Sequence, residues 1–142
     1  MHFDHPAPHV VELSVQPDDI DAYEHVNNAV YLTWLDRAAW SHSAALGVPL
    51  EQCVAVRRGM AAHRIEIEYL SAAVRGDVVE AATWIASTDG RLRAERRFQV
   101  RRKSDGQTLA RARIDYVCIN LDSGRAVRMP ESFARAYVAT PR

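Results

Sequence analysis

The chain has 142 residues, and its 18 Lys plus Arg balance 18 Asp plus Glu. That length suggests one domain, long enough to bury roughly 70% of its unfolded surface without disulfides or metal staples. The zero net charge supplies no overall field for nucleic acid or a membrane surface, and Cys53 and Cys118 are too few for a disulfide framework, so a reducing compartment is the simpler expectation.

The opening MHFDHPAPHV has no basic region followed by an apolar run, so no signal peptide is expected. No apolar run approaches the roughly 20 residues of a membrane span. The expectation is a cytoplasmic protein with no membrane and no nucleic-acid partner. His2, Asp4, His5 and His9 are ligand types, but they flank Pro6 and Pro8 on a stretch that reads as a loose terminus, so no metal is expected there.

Val11, Leu13 and Val15 alternate with Glu12 and Ser14, which predicts a strand ending before Pro17. A polar loop follows from Asp18 to Glu24. Tyr31, Trp34, Leu35, Ala38 and Ala45 then recur at helical spacing. Asn27 or Asn28 caps the start of that helix, and Gly47 and Pro49 end it. Little polar surface lies between Ala29 and Ala39, so the helix is expected to be deeply buried.

The remainder reads as strand. His63, Ile65, Ile67 and Tyr69 share one face, and Arg64, Glu66 and Glu68 the other. Val78 to Ser87 is apolar on both sides, as in a covered central strand. Thr88-Asp89-Gly90 and Ser104-Asp105-Gly106 are hairpin signals. Between them Leu92, Ala94, Phe98 and Val100 alternate with Arg93, Glu95, Arg97, Gln99 and Arg101. A strand from about Thr108 to Ile119, a turn at Asp122-Ser123-Gly124 and a short helix opened by Pro130 and Glu131 complete the order. The fold class is therefore α+β: an antiparallel sheet wrapped around one long central helix, in a single domain spanning 1–142.

Asp19-Ile20-Asp21, His25-Val26-Asn27-Asn28 and Tyr31 resemble the D-x-D…HVNN-x-x-Y signature of hot-dog-fold thioesterases, in particular the 4-hydroxybenzoyl-CoA thioesterase-like acyl-CoA thioesterases. Ile65-Glu66-Ile67-Glu68-Tyr69 with Arg75-Gly76-Asp77 resembles that family's strand followed by GD. Asp115 to Asn120, the turn at Gly124 and Met129-Pro130-Glu131 resemble its last strand and tail. The resemblance implies a homodimer with active sites at the subunit interface, often paired into a homotetramer, acting on an acyl-CoA or aryl-CoA thioester. No separate cofactor is implied, since coenzyme A is part of the substrate.

A thioester has a good electrophilic carbon and a thiol leaving group with a pKa of about 8.5, so the departing sulfur needs little acid help. Something must attack the carbonyl or activate water, and something must hold the oxyanion. The resemblance gives the first task to Asp21, as nucleophile or as base. It gives the second to the backbone N–H of Asn28, seven residues on, at a helix start where N–H groups are unpaired and the dipole is positive. His25 is a candidate to polarise the carbonyl, place water or orient Asp21. The plant acyl-ACP thioesterases carry an Asn two residues before their matching His; here Tyr23 stands there, which favours the Asp-centred route. Other hot-dog thioesterases use a Glu on the central helix; this helix offers only Asp36, more than two turns downstream.

Asn27 reads most simply as a cap, Tyr31 and Trp34 as core, and His63 as core or dimer interface. The same helix face borders the acyl site in the resembling fold, so Asn27, Tyr31, Trp34 and His63 are carried as candidate substrate-binding residues. Arg91, Arg93, Arg96, Arg97, Arg101, Arg102 and Lys103 lack an aromatic ladder and read as a solvated strand face, with some of the arginines as candidates for the phosphates of coenzyme A. The competing functions are a non-hydrolytic acyl-CoA or acyl-carrier binding protein and a hydratase or dehydratase.

Overall fold

In chain order the elements are β1 (His9–Ser14), α1 (Asn28–Ala45), α2 (Leu50–Val56), β2 (Arg58–Tyr69), β3 (Val78–Thr88), β4 (Arg93–Arg102), β5 (Thr108–Asn120) and α3 (Glu131–Ala136), with a single 3-10 turn at Pro17–Asp19. The structure is a computed structural model that describes residues 2–142. The strands form one antiparallel sheet in the order β1-β3-β4-β5-β2. The hairpins β3–β4 and β4–β5 turn where the two Asp-Gly pairs predict. In the second of them Gly106 sits at φ 71°, a conformation that costs glycine little and a side chain more.

Strand parity builds the core. Val79 and Ala81 of β3, Phe98 and Val100 of β4, and Ala110, Ala112 and Ile114 of β5 face one side of the sheet. There they meet Tyr31, Trp34, Leu35, Ala38 and Ala39 of α1 in one buried cluster. Each large apolar side chain so buried contributes about 1.5–3 kcal/mol. A second cluster joins Val48, Cys53, Ile85, Cys118, Met129, Phe133 and Tyr137 where α2 and α3 close the end of the sheet.

Four features differ from the sequence reading. Helix α1 is buried on one face only; Ala29, Thr33, Asp36, Arg37 and Trp40 stay exposed, because the single sheet covers one stripe of the helix. Helix α2 has no counterpart in that reading: its LEQCVAV is too short for a helical period to show, and it ends at Arg57 in the left-handed region. In β2 the register shifts between Ala62 and Arg64, so His63 sits in a bulge, is exposed, and does not simply continue the face of Ile65 and Ile67. The amino-terminal segment is laid across the outer face of the sheet. Asp4 pairs with Arg111, His5 stacks on Trp84 at 5.5 Å and is 4% exposed, and the Arg101 guanidinium lies 3.7 Å over the Phe3 ring.

The turn between β2 and β3 carries the GD segment and is bolted down by Arg102. Its Nε donates to Asp77 Oδ2 at 3.0 Å, and its other nitrogens donate to Ala72 O, Asp105 and Gln107. Asp77 in turn accepts from Val74 N. Both charged side chains are about 15% exposed, Arg102 at 15% and Asp77 at 14%. Arg102→Ala leaves Asp77 with Val74 N alone and the Ala72 carbonyl without its donor, and a loss of about 2 kcal/mol is expected in urea unfolding; a change under about 0.5 kcal/mol would show that the bolt is dispensable.

Candidate active site

The segment from Asp19 to Asn28 is held on both sides. Ile20 bridges to Val26 and His25 to Val74; Val26 N donates to Ala73 O and Asn27 N to Asp19 O, at 2.9 and 2.8 Å. Within it Asp21 folds the chain over its own carboxylate. Oδ1 accepts from Tyr23 N at 2.9 Å and from His25 N at 3.4 Å, while Asp21 N donates to His25 O at 2.8 Å. An Asp side chain that binds its own downstream amides is the usual means of making such a turn. Glu24 takes a positive φ of 61° to close it, a conformation that costs a non-glycine residue roughly 1 kcal/mol or more and persists only when the surroundings impose it. Asp21 is half-buried, and its second carboxylate oxygen accepts no protein hydrogen bond among the described residues.

Helix α1 begins immediately beyond. Asn27 is its N-cap, the side-chain oxygen accepting from Ala29 N at 2.9 Å and the carbonyl from Val30 N. The N–H of Asn28 is the first of the helix, and among the described residues it donates to nothing. A carboxylate on the constrained loop that leads into α1 and an unpaired, dipole-biased N–H at the helix start thus stand seven residues apart in the chain.

The other sequence candidates fall into place differently. His25 is exposed, and its ring makes no hydrogen bond with Asp21 or any other described residue. Tyr31 is 2% exposed; its hydroxyl accepts from Ala73 N at 2.9 Å, and its ring meets Trp34 at 4.9 Å and Tyr69 at 5.1 Å. Tyr69 in turn donates to the carbonyl of Asn28 at 2.9 Å. Trp34 is 4% exposed in the core. Tyr31 and Trp34 therefore seat the helix against the 71–74 turn that also holds His25 and Val26. His63 lies in its bulge on β2.

Residues 15–137 match the model of a family described as the thioesterase-like superfamily. The chain belongs to that superfamily. Its fold is the hot-dog fold, and the family match together with the thioesterase relatives below supports a thioester hydrolase. Among curated proteins it resembles the long-chain acyl-CoA thioesterase FadM of Escherichia coli, 26% identical over 118 residues that cover 83% of this chain and 88% of the other. Among solved structures it resembles a 1,4-dihydroxy-2-naphthoyl-CoA thioesterase from Synechocystis (TM-score 0.82, 20% identity, 92% and 96% covered). A Staphylococcus aureus protein solved in complex with CoA is similar too (TM-score 0.84, 19% identity, 96% and 89% covered). No helix of this superfamily member is long and apolar enough to cross a membrane, among the described residues.

One expectation about the arginines is overturned. Four of the seven basic residues are ion-paired: Arg97 with Glu95, Arg101 with Glu80, Arg102 with Asp77 and Lys103 with Glu12. Arg96 is not on a solvated face. It is 3% exposed, because 94, 96, 98 and 100 share the core side of β4. Nη1 donates to His42 Nδ1 at 2.6 Å and Nη2 to Ser43 Oγ at 3.2 Å, and that hydroxyl also meets Tyr137 Oη at 3.0 Å. The parity of Arg96 with Phe98, and the helical spacing of His42 from Leu35 and Ala38, were the signals that could have found this cluster.

Burial, with the Arg96 cation beside it, drops His42 to about 4. The unfolded imidazole, near 6.5, therefore binds a proton that the folded one refuses, and stability falls as pH drops from about 6.5 towards about 4. About 2 kcal/mol is expected to be lost between about pH 7 and about pH 5. Urea midpoints across that range check it, with His42→Gln expected to flatten the slope. An unaltered slope in His42→Gln would assign the acid sensitivity to other groups.

Proposed function

We propose that this thioester hydrolase acts on acyl-CoA or aryl-CoA thioesters, releasing the free acid and CoA, with Asp21 supplying the attack and the Asn28 N–H holding the oxyanion. The observation that carries the reading is the pairing of a constrained carboxylate with an unpaired N–H at the start of α1. A thiol of pKa about 8.5 leaves without a dedicated acid, so the absence of any ring contact from His25 to Asp21 fits a chemistry centred on Asp21. His25, exposed at the same mouth, is assigned to the incoming carbonyl or its water. Asn27, Tyr31, Trp34 and His63 are assigned to shaping the acyl site, Tyr31 and Trp34 from beneath through packing. The acid released in FadM-like chemistry is a long acyl chain and in the Synechocystis enzyme an aromatic one; both classes belong in the test.

A homodimer, or two paired dimers, belongs to the same reading. Strand β2 is at the edge of the sheet and pairs only with β5; an uncovered edge is a ready surface for a second chain. Ile65 and Tyr69 on that strand are 43% and 45% exposed, and Trp40 on the open face of α1 is 52% exposed. The cytoplasm is the assigned compartment, where the free, buried Cys53 and Cys118 suit reducing conditions. No separate cofactor is assigned. Thiol release from a panel of aliphatic and aromatic acyl-CoA esters by the purified protein tests the reading. Turnover of at least one class is expected; tight binding of a thioester with no thiol released would make the protein a binding module instead.

A further inference from the structure

The fold holds a second polar group that the Asp21 chemistry does not use. Between helix α1 and the sheet, reaching Asp36, eight residues or about 12 Å along the helix from Asn28, lies a cavity of about 140 Å³. Its apolar walls include Ala39, Trp40, Met60 and Ile85, and Arg96 and Tyr116 also line it.

Arg96 is the unusual member. A guanidinium has five N–H donors, and two of them are committed, to His42 and Ser43. Both partners are uncharged acceptors, and among the described residues no carboxylate pairs with Arg96. A cation taken out of water without a counter-charge is costly. Beside it the Tyr116 hydroxyl is sealed from solvent, and its polar neighbour is the Arg96 guanidinium, at a geometry too poor for a good hydrogen bond. A fold that keeps a guanidinium without a carboxylate partner against a cavity is arranged for an anion to complete.

We propose that this cavity is a binding site for a monocarboxylate with a compact apolar body, the carboxylate seated on Arg96 beside Tyr116 and the body against Ala39, Trp40, Met60 and Ile85. The volume sets the body: a dry cavity of about 150 Å³ admits benzene, so one ring or a short chain fits. Asp36 also lines the cavity and makes no ion pair; its charge opposes any acid group there, and a second one, without the guanidinium to offset it, most of all. A planar carboxylate suits the spare fork of a guanidinium better than a single lone pair does. A free carboxylic acid and the carboxylate tip of a longer acyl chain share this chemistry.

Calorimetric titration with benzoate and with benzyl alcohol, its neutral analogue, tests the site directly. Thiol release plays no part in that measurement, so its failure is separate from failure of the thioesterase reading. Benzoate is expected to bind the wild-type protein at least about tenfold more tightly than the alcohol. Arg96→Met should abolish that preference. Ala62→Phe, lining the cavity on the β2 strand assigned to the homodimer, should abolish binding of both ligands with the oligomeric state unchanged, and keeps the test decisive if Arg96→Met fails to fold. Equal binding of acid and alcohol, no binding of benzoate, a preference that survives Arg96→Met, or benzoate binding that survives Ala62→Phe would each overturn the proposal. Competition of benzoate with a thioester whose acyl chain ends in a carboxylate assigns the site to the acyl end; its absence assigns it to the free acid.

Discussion

Asp21→Asn is expected to lower kcat/KM for a thioester substrate by about a thousandfold or more, the scale seen when a nucleophile or essential carboxylate is removed. The substitution is chosen because of what Oδ1 does in the fold. It accepts from Tyr23 N and His25 N, and an asparagine oxygen in the same place can accept from both. The turn over residues 21–25, the bridge from His25 to Val74 and the start of α1 should all survive. Urea unfolding should therefore shift by less than about 1 kcal/mol, the net worth of an ordinary hydrogen bond. A large loss of activity with an unchanged unfolding transition ties the chemistry to the negative charge. Activity within about tenfold of wild type would remove Asp21 from the reaction.

Trp34→Ala is expected to have the largest effect on stability, about 3–5 kcal/mol, or roughly 10 °C in Tm for a chain of this size. Trp34 is 4% exposed and packs its ring against Tyr31, which fixes the 71–74 turn through the Ala73 N–H. Deleting the indole opens a cavity beneath the helix mouth and frees the strut that holds Val26 and His25. Trp34→Phe fills more of the space and should lose much less. The pair also separates two roles. If Trp34 shapes the acyl site through packing, KM for a short acyl-CoA should follow the loss of stability across the two variants. A KM rise in Trp34→Phe with the folded state intact would put the indole in direct contact with the acyl group.

Much of this fold is legible in the chain itself, and the reasons are local. The apolar pattern along 78–87 marks a covered strand, and β3 lies inside the sheet between β1 and β4. Asp89-Gly90 and Asp105-Gly106 place their hairpins because a tight turn needs residues that tolerate unusual backbone angles. Asn27 reads as a cap, and its side chain caps Ala29 N. What is illegible depends on pairing at a distance. Arg96 looks like its neighbours Arg93 and Arg97, and only the parity of the strand under α1 turns it inward toward His42 and Ser43, 54 and 53 residues away. The amino-terminal strap is ordered by Gln99, Trp84, Arg101 and Arg111, none of which its own composition announces. Helix α2 is fixed by its second cluster rather than by a seven-residue period. At the candidate site, the sequence supplies the residue types, whereas the free Asn28 N–H and the self-capping of Asp21 are facts of geometry.

The most direct test is a crystal structure of the Asp21→Asn protein with a bound acyl-CoA thioester. The thioester oxygen is expected within about 2.7–3.1 Å of the Asn28 nitrogen, and the substituted side chain at position 21 within reach of the carbonyl carbon or of a water beside it. A thioester carbonyl bound away from the start of α1, with the Asn28 N–H pointing at solvent, would contradict this placement.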